Sequence, residues 1–194
     1  MIKIGLTGNA GSGKSTAIDF FQSEGIDVIS TDEINSNCRR HGKFLAVLLE
    51  KILNTSLSDK NGLIDSEELR KIIFASRDSR RSIEILLHPL IMENVDLQLA
   101  LLPENDYCFI EIPLLYEANL CAYVDTILLV TAEHEKLIER LNTRSMLTGP
   151  EAESVLQNQL TDNIKFTRSN DIVLNTDTQS IFKDCLERLL HRDS

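Results

Sequence analysis

The sequence predicts an α/β fold: a five-stranded, mainly parallel sheet in a three-layer α/β/α arrangement, with an inserted helical lobe and a helical lid. Three observations predict it. Five short runs rich in Ile, Leu and Val recur along the chain, several of them apolar at consecutive positions, as strands covered on both faces are. Helical patterns stand between most of them, and such alternation means a parallel sheet. Two intervals, 36–103 and 140–168, carry helical patterns without strands.

In chain order, IKIGL at 2–6 is the first strand and 14–24 the first helix, followed by IDVIS at 26–30 as the second strand. The rhythm then breaks. Helices are expected at 43–53, 66–75 and 79–101, the last with a kink or break at Pro89, and Asp59-Lys60-Asn61-Gly62 reads as a turn. YCFIEI at 107–112 and VDTILLV at 124–130 resume the sheet, with a helix at 133–143. DIVLN at 171–175 is the last strand, and the helix at 178–191 carries Ile181, Cys185, Leu186, Leu189 and Leu190 on one stripe. A single domain is expected, with a core of 1–35, 104–139 and 169–194, a helical lobe of 36–103 and a mobile lid of 140–168.

With 194 residues, 42% of them hydrophobic and 26% charged, the chain has the composition of a globular protein. It holds no apolar window long enough for a membrane span and no secretory signal pattern, so a cytoplasmic location is expected. The formal net charge of −10 argues against nonspecific binding to nucleic acid or anionic lipid. The basic stretch RKIIFASRDSRR at 70–81 reads either as a local anion patch or as a solvated helix face. The four cysteines show no CxxC spacing, so reduced thiols are expected; Cys38 and His41 would make only half a metal site.

The turn after the first strand, GLTGNAGSGKST at 5–16, fits G-x-x-x-x-G-K-[ST] at every fixed position. It follows a strand and opens a helix, the context in which backbone N–H groups cradle phosphate. The cradle comprises Ala10, Gly11, Ser12 and Gly13, with Lys14 near the β and γ phosphates, Ser15 on Mg²⁺ and Thr16 at the α-phosphate. The fold is therefore of the P-loop NTPase type, with ATP and Mg²⁺ as expected ligands.

Asp32 lies just past the end of the second strand, where ligands of open parallel sheets bind. Its carboxylate suits an acceptor or orienter for the proton of an attacking hydroxyl, and position alone leaves that role level with a helix N-cap. Arg140 and Arg144 are four apart on one helical face and suit a clamp on a transferring phosphoryl group; surface ion pairs with Glu135 or Glu139 are the alternative. Glu111, ending the third strand, suits the water shell of Mg²⁺ or points to solvent. His88, before Pro89, reads first as structural.

Taken in order, GLTGNAGSGKST, EGIDVISTDEI, LRKIIFA, LLHPLI, IPLLYE, ERLNTR, Gln159 followed by Lys165, and NDIVLNT resemble the dephospho-CoA kinase family over nearly the whole chain. LLHPLI and IPLLYE at these distances are far more specific than the phosphate loop. The resemblance implies a kinase that phosphorylates the 3′-hydroxyl of the dephospho-CoA ribose with ATP and Mg²⁺, the 36–103 lobe receiving the acceptor. It implies Asp32 as the base or orienting group, Arg140 and Arg144 as lid contacts to nucleotide phosphates, and Arg70, His88 and Glu117 as contributors to the acceptor site. Asn175 to Asp177 would lie near the adenine, and a monomer or weak homo-oligomer is expected. A nucleoside or nucleoside monophosphate kinase shares these features; a GTP-driven switch would need an N-K-x-D element, which is missing. The chain departs from the family pattern at Ser30, Ser66, Asp162 and Asn170, which bears on lid electrostatics and acceptor affinity.

Overall fold

The computed structural model describes residues 1–103, 105–176 and 178–191, without the side chains of 41, 73–75, 77 and 80. The strands are β1 (Ile2–Thr7), β2 (Val28–Ser30), β3 (Tyr107–Glu111), β4 (Thr126–Thr131) and β5 (Asp171–Leu174). They form one five-stranded sheet in the order β2-β3-β1-β4-β5. β1 pairs in parallel with β3 and β4, and β4 with β5. The central position of β1 explains its composition. Leu6 is fully buried, and in β4 consecutive residues from Ile127 to Thr131 are all buried, so both faces are covered.

The helices are α1 (Lys14–Ser23), α2 (Thr31–His41), α3 (Lys43–Leu53), α4 (Ser66–Ala75), α5 (Arg77–Leu99), α6 (His134–Ser145), α7 (Gly149–Gln157), α8 (Asp162–Phe166) and α9 (Gln179–Leu190). α1 and α9 bring Phe20, Phe21, Phe182 and Leu186 into one cluster with Leu6, Phe109, Leu128 and Val130 of the sheet. Phe21 stacks on Phe109 with ring centroids 4.0 Å apart. Each such fully buried side chain contributes about 1.5–3 kcal/mol. A second cluster, Ala132, Leu137, Leu141, Ala152 and Leu156, seats α6 and α7 beside Ala10.

The chain divides into two compact units, 1–29 with 103–194, and 30–102. The helical unit therefore begins at Ser30, so that Asp32 belongs to it, and the 140–168 interval belongs to the sheet unit. Of α2 only a start was foreseen, as the helix that Asp32 would cap, because TDEINSNCRRH offers few apolar positions. It starts where Ser30 supplies an N-cap, its side chain accepting from the Glu33 N–H at 3.4 Å. The expected break at Pro89 is absent: α5 runs unbroken from Arg77 to Leu99, burying Ile83, Leu87, Ile91, Met92 and Val95. That apolar stripe outweighs the one hydrogen bond a proline removes. In the turn at 59–62, Gly62 donates to the Asp59 carbonyl at 3.0 Å, and Asp59 Oδ1 accepts from Asn61 and Leu63.

Candidate active site

The segment between β1 and α1 is the phosphate loop, and its backbone is shaped for an anion. Gly13 caps α1 at φ 104°, and a Cβ there would fall on the side-chain amide of Asn175, so only glycine fits. The first N–H groups of α1 have no partners within the helix and form an anion site at its N-terminus. Ser15 stands exposed in that first turn. Lys14 folds back over the loop, its Nζ donating to the carbonyls of Gly8 at 2.8 Å and Asn9 at 3.1 Å. Ser12 is buried, and its hydroxyl oxygen meets no hydrogen-bond partner among the described residues.

Arg140 of α6 does something the sequence did not indicate. Its guanidinium donates to the carbonyls of Gly11 at 3.2 Å, Asn175 at 3.3 Å and Thr176 at 3.2 Å, and to Asn175 Oδ1 at 3.2 Å. Asn175, just past β5, completes the tie by donating its Nδ2 to the Ser12 carbonyl at 2.8 Å. Five planar donors suit this gathering of carbonyls. Through these bonds Arg140 fixes the phosphate loop to the loop after β5. On the same helix Glu139 stands 3.8 Å from Lys136. Arg144 lines a cleft of about 150 Å³ with Gly11, Gly13, Thr16, Asn175 and Phe182. Asp177 lies outside the described residues.

The interval 159–165 is bonded to the same loop. Gln159 Oε1 accepts the Ala10 N–H at 2.9 Å, so this cradle donor is already engaged. Asn9 donates Nδ2 to Asp162 at 2.7 Å and accepts from Lys165 Nζ at 2.6 Å. Lys165 is fully buried and pairs with Glu117 at 3.0 Å. Glu117, expected at the acceptor site, thus neutralises a buried ammonium and accepts the Leu160 N–H at 2.8 Å. Asn9 and Asp162 were missed as partners because their contact spans 153 residues and α8 has only five residues, too short for a periodic pattern.

In the helical unit, Asp32 is exposed in the first turn of α2, and the cap is Ser30, not Asp32. Arg70 is exposed on α4 and His88 is half-buried on α5. The basic stretch 70–81 falls partly on side chains outside the described ones, as does His41 of the half metal site.

Three departures from the family pattern acquire reasons. Ser30 caps α2. Asp162 accepts from Asn9 and, at 3.0 Å, from Thr131. Asn170 clips β5 to β4 by accepting the Ile127 N–H at 2.9 Å. Nothing in the structure explains Ser66.

No cluster of three or more His, Cys, Asp or Glu able to hold a metal occurs among the described residues. The oxygen donors present are the Ser15 hydroxyl and the buried Glu111 carboxylate closing β3. They fit a hard cation that arrives with a triphosphate and keeps phosphate and water as most of its ligands. Among the described residues no helix is long and apolar enough to cross a membrane.

The CoaE dephospho-CoA kinase family model matches residues 2–180. The dephospho-CoA kinase of Coxiella burnetii is 31% identical over 190 residues, covering 97% of this chain and 95% of that protein. That of Legionella pneumophila strain Paris is 33% identical over 186 residues, covering 96% and 92%. The crystal structure of TT1252 from Thermus thermophilus superposes with a TM-score of 0.85 at 27% identity, covering 100% of this chain and 98% of that one. With the family model matched over residues 2–180 and relatives above 30% identity over nearly their whole length, this chain belongs to the dephospho-CoA kinase family.

Proposed function

We propose that this chain transfers the γ-phosphoryl group of ATP to the 3′-hydroxyl of the dephospho-CoA ribose, giving coenzyme A and ADP. The observation that carries this is the family match across 2–180 with G-x-x-x-x-G-K-S intact at its start.

In the transfer, the acceptor oxygen bonds to Pγ as the bond from Pγ to the bridging oxygen of ADP breaks, and the hydroxyl proton passes to Asp32. Asp32 is free for this because Ser30 already caps its helix. The loop from Gly11 to Thr16 holds the triphosphate, with Lys14 exchanging its two carbonyl contacts for phosphate oxygens. Ser15 would hold Mg²⁺ here, and the ion would supply charge that offsets the phosphates. Arg140 keeps the loop in shape, and Arg144 reaches the phosphates from the cleft edge. The adenine occupies the cleft beside Asn175. Arg70 and His88 bind the acceptor from the helical unit.

The test is ADP release with dephospho-CoA compared against AMP, UMP, CMP and uridine as acceptors. Dephospho-CoA is expected to stimulate release well above the others. Equal or absent stimulation by dephospho-CoA would overturn the assignment.

A further inference from the structure

A fully buried lysine is costly unless it is paired and hydrogen-bonded, and phosphoryl transfer itself gives Lys165 no task. Its acceptors are Glu117 Oε1 at 3.0 Å and Asn9 Oδ1 at 2.6 Å. Asn9 lies in the phosphate loop, between Gly8 and Gly11, and is itself only 6% exposed. Its other side-chain atom, Nδ2, donates to Asp162 Oδ1 at 2.7 Å, and Asp162 Oδ2 is anchored by Thr131 at 3.0 Å.

This arrangement admits one orientation of the Asn9 amide. A flipped amide would set its NH₂ against the ammonium and its oxygen against the carboxylate. The Asn9 carbonyl in turn accepts Lys14 Nζ at 3.1 Å, so the seat of the phosphate-binding lysine is fixed through the same residue. Next to it, Gln159 holds the Ala10 N–H at 2.9 Å.

We propose that Lys165 and Asp162 are positioning residues for ATP: by clamping the two ends of the Asn9 amide, they hold the Asn9–Ala10 arm of the phosphate loop in its triphosphate-binding shape. Their influence is geometric rather than coulombic. Lys165, Glu117 and Asp162 together carry one net negative charge, which by itself would repel a nucleotide. The proposal rests on ATP occupying the phosphate loop.

The experiment separates positioning from mere stability. Lys165→Met alone strands the Glu117 charge in the interior, so it is paired with Glu117→Gln, which removes both buried charges and restores folding. Asp162→Ala buries no new charge and tests the other end of the amide. MgATP affinity is measured by titration calorimetry, KM for each substrate by ADP release, and stability by thermal midpoint. The double variant is expected to bind ATP about 10-fold more weakly and Asp162→Ala about threefold, the latter with KM for dephospho-CoA within about twofold.

ATP affinity within about twofold of the unmodified protein in either folded variant would overturn the proposal, as would equal shifts in both substrates for Asp162→Ala. If the double variant fails to fold, Asp162→Ala decides alone. If the unmodified protein does not bind ATP, the phosphate-loop reading fails instead, and the two failures are thereby distinguished.

Discussion

The two compact units treat polar side chains in opposite ways. In the sheet unit, Asn9, Lys165 and Asn175 are buried and bonded over long sequence separations, and Arg140 gathers carbonyls from two loops. In the helical unit, Asp32 and Arg70 are exposed, and the fixed carboxylates, Glu50, Asp59 and Asp65, serve their own loops and helix ends. The difference teaches that the nucleotide end is set before ligand arrives, at the cost of a dense buried network. The acceptor end, if the helical unit forms it as proposed, relies on surface groups that are easily replaced. Substitutions in the buried network of the sheet unit should move ATP binding together with stability. Substitutions at the exposed Asp32 and Arg70 of the helical unit should move turnover or acceptor binding while leaving both alone.

The largest expected effect tests the helical side of this comparison. Asp32→Asn keeps the shape and the Ser30 cap but removes the proposed proton acceptor, so turnover should fall by roughly 100-fold or more. ATP affinity and the thermal midpoint should not change. Single-turnover ADP formation with calorimetric titration of MgATP reads both quantities. A matching loss of ATP affinity would break the comparison, and near-normal turnover would remove Asp32 from the chemistry.

A smaller effect tests the sheet side. Arg140→Met leaves the carbonyls of Gly11, Asn175 and Thr176 without their shared donor, which should cost about 1–3 kcal/mol of stability. KM for ATP should rise about 10-fold with KM for dephospho-CoA unchanged. Arg144→Met, whose side chain is exposed, sharpens the contrast, because it should weaken ATP binding without lowering the thermal midpoint. Equal loss of stability in the two variants would show that the carbonyl contacts of Arg140 do not hold the loops.

The same contrast explains what was legible in the sequence. Strand runs and the phosphate loop are local patterns, and IKIGL, VDTILLV and G-x-x-x-x-G-K-S each write their structure within a dozen residues. Asp32 was legible as a position because strand ends of parallel sheets bind ligands. Its capping alternative fell only when Ser30 was seen to accept from Glu33. The uses of Glu117 and Arg140 were not legible. Glu117 meets Lys165, and Arg140 meets Gly11 and Asn175, through contacts that no periodicity or spacing encodes. α2 was legible only as a helix start beside Asp32, since a polar helix opened by one serine cap shows few apolar positions to mark its extent.

The smallest effect comes from titration, and it separates the units by the direction of pH. In the helical unit, the backbone N–H groups of Leu57 and Ser58 hold the Glu50 carboxyl below its usual range, and those of Leu63 and Asn61 do the same for Asp59. Protons therefore bind more tightly to these groups in the unfolded chain. Their contribution to stability is present above the ordinary carboxylate range near pH 4 and is lost as pH falls through the lower folded values. In the sheet unit, burial, reinforced by the charge of Asp27, pushes the Cys108 thiol from 9.0 to about 11. Here the folded state keeps its proton when the unfolded chain has lost it. Stability is full below about pH 9 and declines until about pH 11, in the direction that burial also gives Tyr116. Amide exchange should accordingly rise first around 57–63 on the acid side and in β3 on the alkaline side. Glu50→Gln should flatten the acid limb alone and Cys108→Ala the alkaline limb alone. Either substitution altering both limbs would mean that the units unfold as one and that the division between them has no energetic counterpart.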